Sequence, residues 1–334
     1  MTEPLSTLSS ADGSLVSALS GPAMDQLRQV TLPGFLPEQR WFGAKDQAIT
    51  EVRILPLAEL EAGRHALVAA DVVVGGETQR YLMPVSAVWA EPGQEPVPAS
   101  AAPVLAHLRG GPRMGVLTDS ALEPSLAQAL LETMRHDLQL QAGAGIVSFI
   151  GSDALRDYGD LPAPRPLGAE QSNVSIAFGS SIILKLYRRL RAGAQPDVDV
   201  ARFLTSVGQF RSTPAYLGEI QYRDGGEATT LAAAFAFVPN QGDAWTVATR
   251  ALTQSLLDGG GEDAGWIGAV LGQRTAEMHK ALAVDTTEPD FVVERLQQGD
   301  VADWAHAAVS EAESLLDRLA QRLETLPPSA RAMA

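Results

Sequence analysis

The chain has 334 residues, of which 46% are hydrophobic and 19% charged, and its formal net charge is −15. The length allows two or three domains with cores of their own. The absence of cysteine excludes disulfides and thiolate metal sites, and the negative charge argues against binding to a nucleic-acid backbone. The sequence contains no run of the roughly 18 consecutive apolar residues that a membrane helix needs. Its polar, acidic start is not typical of a secretion signal. We therefore expect a cytoplasmic protein that binds neither nucleic acid nor membranes.

The first 160 residues predict a tail followed by a mixed α+β domain. Residues 1–23 are small, polar and aperiodic, which is typical of a flexible N-terminal tail. Alternating apolar residues favour strands, and apolar residues three or four apart favour helices. The predicted elements are a short helix at 24–30, strands at 51–60, 66–74 and 81–88, a Pro-rich break at 90–103, and a helix at 125–140. We assign residues 24–160 to this first domain.

Residues 161–240 predict a second domain with the order strand, strand, helix, strand, strand. The helix begins at Pro196, where proline is tolerated, and Asp197 and Asp199 in its first turn suit the helix dipole. The strands are predicted around the polar turn of residues 168–178, at 181–187, at 216–222 and at 228–238. Residues 241–334 are predicted to be helical, with long helices at 266–282 and 301–326. In that segment Asp243 is predicted to cap the first helix.

Lys185 is the most informative residue, because it interrupts an apolar, β-branched strand in a chain that has only two other lysines, Lys45 and Lys280. A strand pair in which the second strand carries one inward lysine is how eukaryotic-like kinases hold nucleotide phosphates. The alternative is a strand-edge lysine with its ammonium group in water, which is the more common situation for a lysine taken alone.

Several blocks of the sequence resemble the bacterial maltokinases, which are sugar kinases related to the aminoglycoside phosphotransferases. Residues 35–45 resemble the opening of the maltokinase N-terminal cap. The other matching blocks, in the order of the family, are residues 170–175, 183–190 and 196–204 of the small lobe, 237–245 of the hinge and 271–279 of a large-lobe helix. The resemblance implies an α+β fold: a cap domain, a protein-kinase-like small lobe at 161–240, and a hinge with an incomplete helical large lobe at 241–334.

The resemblance also implies an activity. Members of the family use ATP and Mg²⁺ to phosphorylate the anomeric hydroxyl of maltose, and the maltose 1-phosphate formed feeds α-glucan synthesis. Two alternatives remain open. The acceptor could be glucosamine or another sugar on the same scaffold, or the chain could be a non-catalytic module that docks a trehalose synthase.

The nucleotide-binding residues follow from the same resemblance. Lys185 is expected to contact the α- and β-phosphates, and Phe237 and Val238 are expected to lie along the adenine. Ser172, Asn173 and Ser175 are expected in the hairpin that covers the phosphates, although an ordinary turn would also be rich in such residues.

Asp199 stands where the family usually has the glutamate that pairs with the lysine. An aspartate is one methylene shorter, so we weigh two interpretations equally: Asp199 pairs with Lys185, or it forms a local ion pair with Arg202 three residues later.

The catalytic loop of the family is the second departure. Its His-Gly-Asp loop and its Asp-Phe-Glu-like metal segment are both missing from the 334 residues. Two short stretches imitate them, residues 135–137 and 290–292, and their positions relative to the other blocks indicate structural roles. We therefore expect no catalytic residue and no magnesium ligand in this chain, and we expect an inactive kinase that is either truncated or has lost its chemistry.

Overall fold

The computed structural model describes residues 5–10, 14–20, 24–91, 93–98, 102–169, 173–257, 265–297 and 299–325. Two compact units are distinguished, Met1–Ala281 and Leu282–Ala334. Within the part of the chain that is described, no helix is both long enough and apolar enough to cross a membrane.

Fourteen strands are formed by the described residues. They are β1 (Thr7–Ser9), β2 (Ile49–Leu60), β3 (His65–Val74), β4 (Glu77–Trp89), β5 (Val104–Gly110), β6 (Arg113–Asp119), β7 (Gln139–Ala142), β8 (Gly145–Gly151), β9 (Pro164–Ala169), β10 (Asn173–Phe178), β11 (Ile182–Tyr187), β12 (Arg189–Leu190), β13 (Tyr216–Arg223) and β14 (Thr229–Ala236). They assemble into two seven-stranded sheets.

Apart from α4, the α-helices formed by the described residues of the first half of the chain are short, and those of the second half are longer. The helices are α1 (Leu15–Ala18), α2 (Met24–Gln26), α3 (Leu32–Phe35), α4 (Pro124–Arg135), α5 (Asp153–Arg156), α6 (Pro196–Ser206), α7 (Ala244–Leu257), α8 (Gly265–Leu282) and α9 (Asp300–Arg322). A π-helical turn, Leu27–Thr31, joins α2 to α3.

The first sheet has the strand order β1-β5-β6-β4-β3-β2, and β12 pairs with a free stretch of β4. The strands β2, β3 and β4, all predicted from their alternating residues, form long antiparallel pairs. Trp41 and Phe42 are buried in the core on this sheet and contact Tyr81. The strands β5 and β6 were not predicted.

The second sheet has the order β7-β8-β13-β14-β11-β10-β9, and all its neighbouring strands are antiparallel. The strands β10 and β11, the helix α6 and the strands β13 and β14 follow one another in the predicted order of a kinase small lobe. This prediction of the fold is confirmed.

Two glycines allow α4 to lie close to the second sheet. A Cβ atom at Gly218 would lie 2.4 Å from the carbonyl oxygen of Ile150 and 2.5 Å from Sδ of Met134 on α4. At Gly151 a Cβ atom would lie 2.6 Å from the carbonyl oxygen of Met134. All three distances are shorter than van der Waals contact, so larger residues at Gly218 or Gly151 would push α4 off the sheet.

The predicted helix at 125–140 is wrong over its last five residues. The helix ends at Arg135, and Asp137 adopts a left-handed conformation with φ 50°. The carboxylate of Asp137 accepts a hydrogen bond from the Gly151 backbone at 2.7 Å, which stabilises the turn into β7. Leu138, in the part predicted to be helical, is 45% exposed.

The predicted domain boundary at residue 160 stays a prediction. The strands β7 and β8 lie within residues 24–160. They nevertheless belong to the second sheet, because β7 pairs with β8 and β8 pairs with β13. The second unit contains the 3₁₀ turn Pro289–Phe291 and the helix α9, followed by the 3₁₀ turn Leu323–Thr325.

His65, at the start of β3, is buried. Its Nδ1 is 2.6 Å from the hydroxyl oxygen of Ser86, and its Nε2 is 3.4 Å from a carboxylate oxygen of Glu61. Burial, and to a lesser degree the positive charge of Arg64, lower the pKa of His65 to about 4. The imidazole is therefore neutral in the folded protein at neutral pH.

The pKa of His65 predicts a loss of stability in acid. Between pH 6.5 and pH 4 the unfolded chain binds a proton at this residue and the folded chain does not, so stability falls as the pH falls through that window. Over this pH range the lowered pKa of His65 reduces the free energy of unfolding by about 3 kcal/mol. Urea unfolding at several pH values should show a shallower decrease for His65→Asn than for wild type. The exposed His107→Asn should follow wild type, and equal slopes for all three proteins would contradict the prediction.

Candidate functional site

A cavity of about 370 Å³ lies beside the second sheet, where β11, β14, α6 and the segment after β14 come together. Its lining residues combine one lysine and one carboxylate with mainly apolar groups: Ile183, Lys185, Asp197, Ala201, Thr213, Pro214, Phe235, Ala236, Phe237, Val238 and Asn240. Ligand sites are typically concave and apolar with a few polar groups, so this cavity is the candidate site.

Lys185 lies in the interior of the sheet, between β10 and β14, opposite Ser175 on one side and Ala233 on the other. Its neighbours Leu184 and Leu186 are buried on the opposite face of the strand, so Lys185 is turned toward the cavity. Its side chain is 30% exposed, and Nζ lies 5.6 Å from the centroid of the Phe235 ring. The ammonium group thus faces a cleft, in contrast to that of an edge lysine surrounded by water.

Asp197 is the carboxylate beside this lysine. Its Oδ2 lies 3.8 Å from Nζ of Lys185 and accepts a 2.8 Å hydrogen bond from the hydroxyl of Tyr187. Gln195 donates to the other carboxylate oxygen at 2.9 Å. Burial, followed by the negative charge of Asp197, raises the pKa of Tyr187, so the phenol keeps its proton and continues to donate it.

Asp199 points elsewhere. Its Oδ1 accepts a 2.9 Å hydrogen bond from Arg202, and its Oδ2 accepts one from the backbone of Gln195 at 2.8 Å. Residues 197 and 199 are separated by roughly 200° around the helix at 3.6 residues per turn, so only one of them can face β11. Of the two predicted alternatives, the geometry shows the local pair with Arg202, and the contact with Lys185 is made by Asp197.

The hairpin residues are placed unequally. Ser175 is buried opposite Lys185, and its hydroxyl oxygen has no hydrogen-bond partner among the described groups. Asn173 is half-buried at the start of β10, opposite Tyr187. Neither residue lines the cavity, and Ser172 lies outside the described residues.

Phe237 and Val238 both line the cavity, as expected for residues along a bound ring. The backbone N–H of Phe237 donates to Ser181 at 2.8 Å, which holds the start of this segment against the turn before β11. Val238 is exposed, and its carbonyl accepts a hydrogen bond from the Asn240 side chain at 3.1 Å. Backbone groups beyond β14 are therefore fixed at the cavity edge.

Asp243 caps α7, as predicted. Its carboxylate accepts hydrogen bonds from the backbone N–H and the hydroxyl of Thr246, at 2.7 and 2.9 Å. These bonds lower the pKa of Asp243, which is typical of an N-cap carboxylate.

A second acid, Glu219, lies on the same face of the sheet as Lys185, one strand farther away, with Ala233 between them. Its carboxylate accepts hydrogen bonds from the Tyr216 hydroxyl at 3.0 Å and the Gln221 amide at 2.9 Å. Burial and the charge of Glu219 raise the pKa of Tyr216. The buried carboxylate is thus already hydrogen-bonded, and its contacts support the sheet beside α6.

Sequence reasoning missed Asp197 and Phe235 as site residues. Asp197 had been considered only for its interaction with the helix dipole, and nothing in the sequence distinguishes it from Asp199 in the same turn. Phe235 would have been found from the strand register, because it is two residues from Ala233, the partner of Lys185, and therefore on the same face.

Of the two stretches that imitate catalytic motifs, residues 290–292 overlap a 3₁₀ turn in which the backbone N–H of Phe291 donates to the Glu288 carbonyl at 3.0 Å. Residues 135–137 have side-chain contacts. Arg135 donates to the carbonyl oxygen of Tyr158 at 2.6 Å, and Asp137 pairs with Arg156. Among the described residues, no group of three or more His, Cys, Asp or Glu side chains could hold a metal ion.

Comparison with known proteins agrees with this architecture. Residues 35–121 match the model of the maltokinase N-terminal cap domain. The structure is similar to that of a glucosamine kinase in complex with glucosamine, ADP and inorganic phosphate, with a TM-score of 0.52, 18% identity, and coverage of 84% of this chain and 56% of that one. Crystal form A of glucosamine kinase gives a TM-score of 0.50, 18% identity, and coverage of 86% and 54%.

The fold is therefore that of the kinase-like sugar kinases. The chain spans just over half the length of these structures. Residues 35–121 match the maltokinase N-terminal cap, so the resemblance of this chain to the maltokinases is confirmed.

Proposed function

We propose that this chain carries the cap and the nucleotide-binding lobe of an ATP-dependent sugar kinase of the maltokinase type. The reaction would transfer the γ-phosphoryl group of ATP to the anomeric hydroxyl of maltose. The observation that carries the proposal is the pair of Lys185 and Asp197 at the cavity, in a chain with a maltokinase cap domain.

Lys185 would bind the α- and β-phosphates. Its ammonium group offsets phosphate charge and fixes the position of the nucleotide, which is the main contribution that proteins make to phosphoryl transfer. Asp197 would orient the ammonium group, and the hydrogen bond from Tyr187 would hold Asp197 in place. The proposal gives Asp197 the role that the family resemblance assigns to Asp199.

The apolar part of the cavity suits the adenine base of ATP. Phe237 and Val238 provide an apolar surface, and the backbone groups that follow β14 are available for the polar edge of an adenine. Asn173 and Ser175 lie on β10, next to the strand of Lys185, where they would support the hairpin over the phosphates.

Magnesium has no corresponding ligand set among the described residues. Among the described residues, the only carboxylate that lines the cavity, Asp197, is already in contact with Lys185, Tyr187 and Gln195. No step is therefore assigned to a metal on these residues.

The acceptor is proposed to be maltose because of the cap domain. Glucosamine is the second candidate, because the similar structures are glucosamine kinases. The 334 residues contain no His-Gly-Asp triplet that could supply an aspartate near the attacking hydroxyl. We therefore propose that this chain binds the nucleotide but does not transfer its phosphoryl group.

A binding and turnover experiment tests the proposal. A fluorescent ATP analogue should bind the wild-type chain and should be displaced by unlabelled ATP. Incubation with ATP, magnesium and either maltose or glucosamine should give no sugar phosphate. Failure to bind the analogue would overturn the assignment of the nucleotide site. Formation of maltose 1-phosphate or of a glucosamine phosphate would overturn the proposed inactivity and would identify the acceptor.

A further inference from the structure

The strand that carries Lys185 leaves its own sheet and joins the cap. Immediately after β11, the carbonyl oxygen of Arg188 accepts a 2.8 Å hydrogen bond from the backbone N–H of Leu82 on β4. The next two residues form β12, which pairs with Arg80 and Tyr81 of β4. The polypeptide therefore passes directly from the candidate site into the first sheet.

The side chain of Arg188 is held by three groups of the cap. It is 4% exposed, and its Nη2 donates to both carboxylate oxygens of Asp119 at 2.8 Å. Its Nη1 donates to the carbonyl oxygen of Leu82 at 3.1 Å, and its Cζ lies 4.6 Å from the centroid of the Trp41 ring. Asp119, itself 7% exposed, also accepts a hydrogen bond from the backbone N–H of Ala121 at 3.1 Å.

This arrangement specifies both the position and the orientation of the guanidinium group. Hydrogen bonds fix its plane and the Trp41 ring covers one face, so it cannot move without losing several contacts. Asp119 ends β6, Leu82 lies in β4 and Trp41 precedes β2, so the three partners come from three separate parts of the cap. Arg188 is thus fixed relative to the whole first sheet.

Arg188 is also close to Lys185. It follows Lys185 by three positions along extended chain, a distance of about 10 Å. Tyr187, its direct neighbour, holds Asp197. A cavity of about 380 Å³ at the junction is lined by Arg188, Asp119 and Trp41 and also by Val174, which pairs with Leu186 across β10 and β11. Both strands of this hairpin therefore contact the junction.

We propose that Arg188 is a positioning residue through which the cap fixes the strand of Lys185 for nucleotide binding. The inference rests on the proposed function only for the expected change in affinity for the ATP analogue, and the expected change in hydrogen exchange does not depend on it. A buried ion pair is rarely needed for stability alone, because apolar residues of similar size often replace it without loss. The directional contacts of Arg188 fix the register and orientation of β11, which apolar packing would not do.

The test replaces the pair with apolar residues in the double variant Asp119→Leu/Arg188→Met. We expect a folded protein that binds the fluorescent ATP analogue about tenfold more weakly than wild type. Hydrogen exchange without nucleotide should be faster in residues 173–187 and unchanged in the hairpin of β2 and β3. The control is Glu51→Gln/Arg53→Gln, which removes an exposed ion pair on β2, a strand that does not pair with β12, where the charged atoms are 3.4 Å apart. It should leave the affinity for the analogue and the exchange of residues 173–187 at the wild-type value.

The variant Arg188→Lys provides a second measurement if the double variant does not fold. It keeps the charge but not the planar fork, so we expect weaker binding and faster exchange in residues 173–187 here as well. Wild-type affinity and exchange in the folded variants would overturn the proposal. If the wild-type chain does not bind the analogue, the proposed function fails, and the exchange measurement alone decides the role of Arg188.

Discussion

Replacing Asp119 with alanine is expected to lower the free energy of unfolding by about 3 to 5 kcal/mol. The substitution leaves the guanidinium group of Arg188 buried without its carboxylate partner, since Arg188 is 4% exposed and both of its hydrogen bonds to a carboxylate go to Asp119. The backbone N–H of Ala121 loses its acceptor as well. The loss should exceed that of an ordinary surface substitution several-fold.

Urea unfolding measures this loss, with Glu77→Ala as the control. Glu77 is an exposed acid at the start of β4, and its replacement should change the free energy of unfolding by no more than about 0.5 kcal/mol. If Asp119→Ala is no less stable than this control, the buried pair does not stabilise the junction between the cap and the second sheet.

Lys185→Met should weaken binding of the ATP analogue by about tenfold to a hundredfold. A hydrogen bond to a charged group contributes about 1.5 to 3 kcal/mol, and about 1.4 kcal/mol corresponds to a factor of ten in affinity. Methionine keeps the aliphatic part of the side chain, so packing against Phe235 is preserved while the charge is removed. Because the lysine side chain is 30% exposed, the fold should tolerate the change.

The control for this measurement is Lys280→Met, since Lys280 is an exposed lysine in the last turn of α8. It should bind the analogue with wild-type affinity. If Lys185→Met also binds with wild-type affinity, Lys185 is not a phosphate ligand, and the assignment of this cavity to a nucleotide is wrong.

Four strands of the second sheet, β10, β11, β13 and β14, could be predicted from the sequence because they carry their own signals. Apolar, β-branched residues around Lys185, a proline at the first position of α6 and clear turns between strands identify the kinase-like order. The strands β5 and β6 were missed because they follow a Pro-rich segment and their pairing with β1 and β4 is set by distant residues. Local patterns contain no information about such pairing.

The candidate site shows the same limit at the level of single residues. Lys185 could be found because a lysine within an apolar strand is unusual, and its proposed role came from the neighbouring blocks that resemble the maltokinases. The choice between Asp197 and Asp199 depends on how α6 is rotated about its axis relative to β11, which is determined by the burial of Val198, Phe203 and Leu204. A rotation of this kind becomes visible only when the helix is packed.

The pairing of β12 with β4 has a consequence for folding during synthesis. The ribosome releases β4 and Asp119 long before Arg188, so the newly made cap has an unpaired edge at Arg80 and Tyr81 and an acid without its cation. Exposed strand edges are sites where chains associate wrongly. The cap can complete its sheet only after the lysine strand has emerged, which makes maturation of the N-terminal domain dependent on the domain that follows it.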